Sequence, residues 1–291
     1  MIAETPIPGA RPMAPPRSFF ARKGGGIGIL RNALREKRPL ILLLDYDGTL
    51  ASIRVEASRA KLEQPVRALL GRLAESPRVR VGIVSGRSLE DLSEKVGLED
   101  AFLAGNYGLQ IRLGRRTWVH PQARTCPSVM ARVSRDLAVA LKGLHGVTVE
   151  DKGLTISIHF RSADPKASSG VEHVVGRVLG PFRGTLQSAA GKNVIEVLPI
   201  TGWDKGRAVL RILLRLRSRA CPLVIYAGDD RTDEDAFRAL RPLGLAVRVG
   251  RKRDTEAEFY VQNRAGVIEI LKIIEREIRP GIKRAETPSA P

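Results

Sequence analysis

"LILLLDYDGTLASI", residues 40–53, runs five apolar residues directly into two aspartates one position apart. An uninterrupted aliphatic run from Leu40 to Leu44 fits a strand buried on both faces, as in a parallel sheet covered by helices. Gly48 ends it. Asp45 and Asp47 then stand at the carboxyl tip of the strand, where two carboxylates are costly unless something cationic meets them.

Working outward, the same texture repeats. Residues 64–75 place Val66, Leu69, Leu70 and Leu73 on one helical face. A second apolar strand, 79–84, stops at Ser85-Gly86. Ser88 is placed to cap a helix over 89–96, with Glu90 and Asp91 in its first turn. A third strand, 101–104, ends in Gly105-Asn106-Tyr107-Gly108. Apolar and polar residues then alternate over 110–119 and 146–160, the pattern of strands with one solvated face. Helices are expected over 129–144 and 170–179, and strand again over 186–198. From Gly206 the first texture resumes: helix 207–217, strand 223–227, helix 234–240, strand 245–249, helix 265–277.

The plan is therefore a doubly wound α/β core in two sequence pieces, residues 29–110 and 200–278, with an α+β block at 111–199 inserted between them. Residues 1–28 are expected to be a disordered basic tail, "GGGIG" at 24–28 a linker, and 279–291 a flexible tail. In open α/β sheets ligands bind beyond the carboxyl ends of the strands. Asp45, Ser85 and Asp229 all fall at such ends.

Composition narrows the setting. The 291 residues carry 49 Lys+Arg against 31 Asp+Glu, a net charge of +18. The basic residues are spread along the chain, only 4% of residues are aromatic, and no nucleic-acid module is evident, so no nucleic-acid partner is expected. No apolar stretch approaches the roughly 18 residues needed to span a bilayer. The amino-terminal stretch lacks the apolar segment of a signal peptide. Cys126 and Cys221 stand alone, which suits a reducing cytoplasm rather than a disulfide framework. A monomer is expected.

A divalent hard cation would resolve the cost of the acidic strand tip. Mg²⁺ favours oxygen ligands and commonly shares its site with a substrate phosphate. A second acidic cluster, "YAGDDRTDEDAF" at 226–237, could complete its shell with Asp229 or Asp230, and with Asp233. Asp45 is then the candidate nucleophile and Asp47 the acid/base. Ser85, Gly86 and Arg87 can hold phosphate oxygens at a helix start. Lys205, in "GWDKGRA", offers a point charge to a transferring phosphoryl group.

"DYDGT", then SGR, then a lysine, then GDDxxD resembles the ordered motif series of the haloacid-dehalogenase superfamily, over roughly 38–110 and 200–275. The resemblance implies a phosphorylated Asp45, an acid/base Asp47 that reaches the metal through its main-chain carbonyl, and Asp229 as the downstream Mg²⁺ ligand. More closely, "LAGNYGLQI", "VEDKGLTISIHFR", "GKNVIEVLP", "GWDKGRA" and "GDDRTDEDAF" together resemble the trehalose-6-phosphate phosphatases. That resemblance makes the inserted block a cap over the sugar and implies substrate contacts from Asn106, Glu150, Lys152, Lys192 and Glu196. It implies hydrolysis of trehalose 6-phosphate, the last step of trehalose biosynthesis. Where many relatives carry His this chain has Tyr107, so that turn is given no fixed catalytic role. His159 reads as a structural histidine as readily as a ligand, and Arg161 likewise. The alternatives are a phosphatase for sucrose 6-phosphate or another phosphosugar, and a phosphosugar-binding relative without turnover. Intact Asp45, Asp47, Lys205 and Asp229 speak for turnover.

Overall fold

The apolar run Leu40–Leu44 is a strand buried at every position. Its alternate side chains part between two layers, as the two-residue period of a strand requires. Leu40, Leu42 and Leu44 join a core with Leu30, Leu70 and Ile274, whereas Ile41 and Leu43 join one with Val209, Tyr226 and Phe237. Burying one such side chain is worth roughly 1.5–3 kcal/mol, so the strand can be apolar on both faces only because helices cover both.

The computed structural model describes residues 14–52, 61–163, 167–191, 193–216, 221–241 and 243–278. In chain order the first core piece comprises β1 (Arg17–Ser18), α1 (Gly26–Arg35), β2 (Leu40–Leu44), α2 (Gln64–Ala74), β3 (Val79–Val84), α3 (Leu89–Val96), β4 (Phe102–Gly105), β5 (Gln110–Leu113) and β6 (Arg116–Val119). The cap follows, with α4 (Pro127–Ala140), β7 (Thr148–Asp151), β8 (Ile156–His159), α5 (Ala167–Leu179), β9 (Leu186–Gly191) and β10 (Val194–Pro199). The second core piece is α6 (Lys205–Arg215), β11 (Leu223–Gly228), α7 (Asp233–Leu240), β12 (Gly244–Val249), β13 (Phe259–Val261) and α8 (Arg264–Ile278).

The main sheet has the order β1-β13-β12-β11-β2-β3-β4-β5-β6, parallel from β1 to β4. From β2 the chain builds outward through β3 and β4, and the second piece builds the other way from β11. The switch point between β2 and β11 is where such sheets open a crevice. The cap sheet is separate and antiparallel, in the order β7-β8-β10-β9. Ile156, Ile158, Ile195 and Val197 turn to one face, against Met130 and Val133 of α4 and Val171 of α5. The strand period sends Glu150, Ser157 and Glu196 to the opposite face. Register sets these three side by side, Glu150 opposite Ser157 and Ser157 opposite Glu196.

Two expectations about boundaries need correction. The strands within 110–119, read as part of the inserted block, extend the main sheet instead: β5 pairs antiparallel with β4, and β6 with β5. Alternation identifies an antiparallel strand but not the sheet it joins. Likewise residues 14–28 are not a loose tail: β1 pairs with β13, and Phe19 is fully buried edge-on to Phe259, 6.0 Å between ring centroids. The expected "GGGIG" linker opens α1 instead, with Gly26 seated so closely against the Phe19 ring that a Cβ would overlap it. Residues 1–13 and 279–291 lie outside the described residues.

Candidate active site

Asp45 follows β2 directly, and its N–H donates to the Ala227 carbonyl of β11 at 2.9 Å, which fixes it at the switch point. Lys205 arrives from the first turn of α6. The Asp204 carboxylate caps that helix by accepting from the Arg207 N–H at 2.7 Å, so the helix start and the lysine are set together. The ammonium donates to Asp45 Oδ1 at 2.8 Å and to Asp233 Oδ1 at 2.7 Å. Asp233 also accepts from the Tyr226 hydroxyl at 2.7 Å and, through Oδ2, from the Asp230 N–H at 2.9 Å. Asp233 is therefore the hub that holds the lysine beneath Asp45.

Asp45, Asp229 and Asp233 each present a carboxylate oxygen within 4.8 Å of the others. Three acids meet one ammonium, and burial with this shortage of positive charge shifts two of them, Asp229 and Asp45. Burial, reinforced by Asp233 and Asp230, pushes the Asp229 carboxyl up to about 7. Burial likewise raises Asp45, with Lys205 opposing and Asp233 and Asp229 adding to the rise. Burial works against the Lys205 charge, yet Asp233 and Asp45 more than offset it and keep the amine protonated. An all-oxygen donor set short of positive charge fits a hard divalent cation. Gly48 adopts φ +84° and lies so close to the Asp229 carboxylate that a Cβ there would overlap it. Below, Arg248 donates to the Asp229 carbonyl at 2.7 Å and to Glu234 Oε1 at 2.7 Å, bracing the acidic loop.

The Asp47 carboxylate does not join this cluster. Both of its oxygens accept from the Arg87 guanidinium at 2.7 Å, a bidentate pair, and Arg87 also donates to Asp91 Oδ2 at 2.7 Å. Ser88 caps α3 as expected, accepting from the Asp91 N–H at 3.1 Å. Ser85 is buried at the tip of β3, and its Oγ accepts from the Arg87 N–H at 3.2 Å.

The cap supplies a roof. Asp45, Asp47, Ser85, Gly86, Arg87 and Lys205 line one cavity of about 220 Å³ together with Glu150, Lys152 and Glu196. Glu196 accepts from Ser157 Oγ at 2.7 Å, and Lys152 Nζ donates to the Gly86 carbonyl at 3.0 Å and to Glu196 Oε2 at 3.4 Å. Glu150 Oε2 lies 2.8 Å from His159 Nε2, and that hydrogen bond draws the Glu150 carboxyl below its usual range. Lys192 lies outside the described residues. Asn106 departs from expectation: it is fully buried, and its amide is engaged by protein groups rather than lining the cavity.

His159 and Arg161, left open between structural and ligand roles by the sequence, both line the cavity. Sequence reading missed Asn193 and Thr232, which also line it, and Tyr226 and Arg248, which support its floor. Arg248 had a signal: a lone cation inside the apolar strand "GLAVRV" needs a buried partner. Tyr226 had none, since a tyrosine in a core strand is unremarkable by pattern.

The core sheet thus sets carboxylates and a lysine as a floor suited to phosphoryl transfer, and the inserted sheet closes over it as a polar roof. The chain belongs to the trehalose-phosphatase family, whose model matches residues 43–265. It is 32% identical over 250 residues to the probable trehalose-phosphate phosphatase 4 of Oryza sativa, covering 82% of this chain and 66% of that protein. It is 33% identical over 266 residues to the trehalose-phosphate phosphatase of Mycobacterium tuberculosis, covering 88% of this chain and 66% of the relative. The chain thus spans just under two thirds of the length of these two relatives. The trehalose-6-phosphate phosphatase C-terminal domain of C. albicans shares the fold, with a TM-score of 0.75 at 24% identity over 90% of this chain and 98% of that one. Among the described residues no helix is long and apolar enough to cross a membrane.

Proposed function

We propose that the chain hydrolyses trehalose 6-phosphate to trehalose and inorganic phosphate through an aspartyl-phosphate at Asp45. The observation that carries this is the buried Asp45–Lys205–Asp233 floor lying under a cap face that bears Glu150, Lys152 and Glu196. Asp45 Oδ attacks phosphorus, the bond from phosphorus to the sugar oxygen breaks, and Asp47 gives that oxygen a proton. Water then attacks phosphorus, Asp47 takes a proton from it, and the Asp45 carboxylate is regenerated. Lys205 and Ser85 hold the phosphoryl oxygens as charge moves between them. Gly86 and Arg87 shape the same loop.

Asp45 and Asp229 would hold Mg²⁺, with Asp47 offering its main-chain carbonyl because its side chain is engaged by Arg87. Bound there, the cation supplies Lewis-acid polarisation of a phosphoryl oxygen and keeps the carboxylates ionised. Glu150, Lys152 and Glu196 suit a polyhydroxylated substrate: carboxylates accept from sugar hydroxyls and the lysine faces the phosphate end. Both cysteines are free, which accords with a cytoplasmic setting.

The test is phosphate release by the purified protein with Mg²⁺, on trehalose 6-phosphate and sucrose 6-phosphate in parallel. Turnover of the first in preference to the second is expected. Preference for sucrose 6-phosphate, or no release from either, would overturn the assignment.

A further inference from the structure

Three consecutive residues, Asn106, Tyr107 and Gly108, have φ of 51°, 60° and 87°. Two of them carry side chains, for which this left-handed conformation is strained. Such a turn persists only where its surroundings over-determine it. Here they do so from two domains at once.

On the core side, the turn docks onto the loop Ser85-Gly86-Arg87. The Tyr107 N–H donates to the Ser85 carbonyl at 2.9 Å and the Asn106 N–H to the Arg87 carbonyl at 2.6 Å. The carbonyl between them, that of Gly86, accepts from the cap's Lys152 Nζ at 3.0 Å. Three successive carbonyls of the phosphate-facing loop are thus engaged, two by the turn and one by the cap. On the cap side, Asn106 Oδ1 accepts from Thr155 Oγ1 at 2.7 Å with both residues fully buried, and Asn106 Nδ2 donates to the Lys152 carbonyl at 3.3 Å. The Tyr107 hydroxyl donates to the Glu196 carboxylate, and burial, reinforced by that carboxylate, pushes the phenol up.

From these contacts we infer that Asn106 is a positioning residue: through Thr155 it latches the cap at the one seating that places Lys152 and Glu196 over the phosphate loop. The contacts select for the cap's register rather than touching the substrate. A loosened latch therefore costs the enzyme its grip on the sugar while sparing the phosphoryl chemistry on the core. The inference rests on the phosphosugar reading above and adds to it the source of discrimination between sugar phosphates and small phosphate esters.

Thr155→Val tests this by removing one hydroxyl at constant shape, which strands the buried Asn106 Oδ1 without a donor. Expected is a loss of about tenfold in kcat/KM for trehalose 6-phosphate, carried by KM. Hydrolysis of p-nitrophenyl phosphate should be unchanged, and Thr155→Ser should restore the sugar substrate. Unchanged kinetics on the sugar phosphate, or an equal fall on both substrates, would overturn the inference. Should the valine variant not fold, Asn106→Gly, which tolerates positive φ, carries the same comparison on the sugar substrate. Small-angle scattering of the substrate-free protein gives an independent reading. The Thr155→Val protein should be wider than the unaltered chain, and identical profiles would contradict the latch. A wider variant, with an unaltered chain that leaves trehalose 6-phosphate intact, would overturn the substrate reading and leave the latch standing.

Discussion

The Lys205 ammonium donates to Asp45 Oδ1 across 2.8 Å with both side chains nearly closed off from water. Removing one partner of such a pair leaves a buried charge uncompensated, a loss of about 3–5 kcal/mol. Lys205→Met should therefore lower the melting temperature and reduce kcat by about 100-fold or more. Calorimetry and phosphate release at saturating substrate check both. A variant as stable and active as the parent would remove Lys205 from the site's electrostatics.

Gly48 bears on the metal rather than on the substrate. Any Cβ at this position meets the Asp229 carboxylate, and φ of +84° adds strain of its own. Gly48→Ala is expected to weaken Mg²⁺ binding by at least about tenfold, read by titration calorimetry. Undiminished Mg²⁺ affinity would show that Asp229 can leave this position without consequence.

Arg87 grips both oxygens of Asp47, a geometry that a lysine's single ammonium cannot reproduce. Arg87→Lys should slow turnover of trehalose 6-phosphate by about 10- to 100-fold, within the range for a misplaced general acid. An aryl phosphate with a good leaving group needs less protonation and should suffer less. Equal losses on both substrates would place the role of Arg87 in phosphate binding instead.

The raised Asp229 carboxyl ties metal binding to pH. In the metal-free protein it titrates near about 7, whereas in the unfolded chain it titrates at the ordinary value of 3.8. As pH rises between those values the unfolded chain loses its proton first, so the metal-free protein loses stability over that window. Mg²⁺ favours the ionised form, so its affinity should climb by up to about tenfold per pH unit until about pH 7 and then level off. Melting temperatures with Mg²⁺ and with a chelator should therefore differ more at about pH 8 than at about pH 5.5. A pH-independent difference would mean that Asp229 is not displaced of a proton on binding.

Much of this was legible in the chain because buried parallel strands leave a single pattern. The run Leu40–Leu44 and the acids after it gave both the sheet and its crevice. The hairpin of β5 and β6 was legible as antiparallel strand but not as core, since pairing partners are not written in alternation. Phe19 and Ile27 were hidden in a Pro/Gly/Arg-rich stretch whose composition suggested a tail, although both side chains are buried and help anchor it. Asn106 shows the limit at the site. Whether a buried amide meets a substrate or a threonine 49 residues away is decided by tertiary packing, which no local pattern records.

The nucleophile is best tested by trapping it. Protein quenched in acid during steady turnover of trehalose 6-phosphate, digested and weighed by mass spectrometry should show one phosphoryl group on the peptide bearing Asp45, and none in Asp45→Asn. Full turnover with that peptide unmodified at every time sampled would contradict covalent catalysis by Asp45.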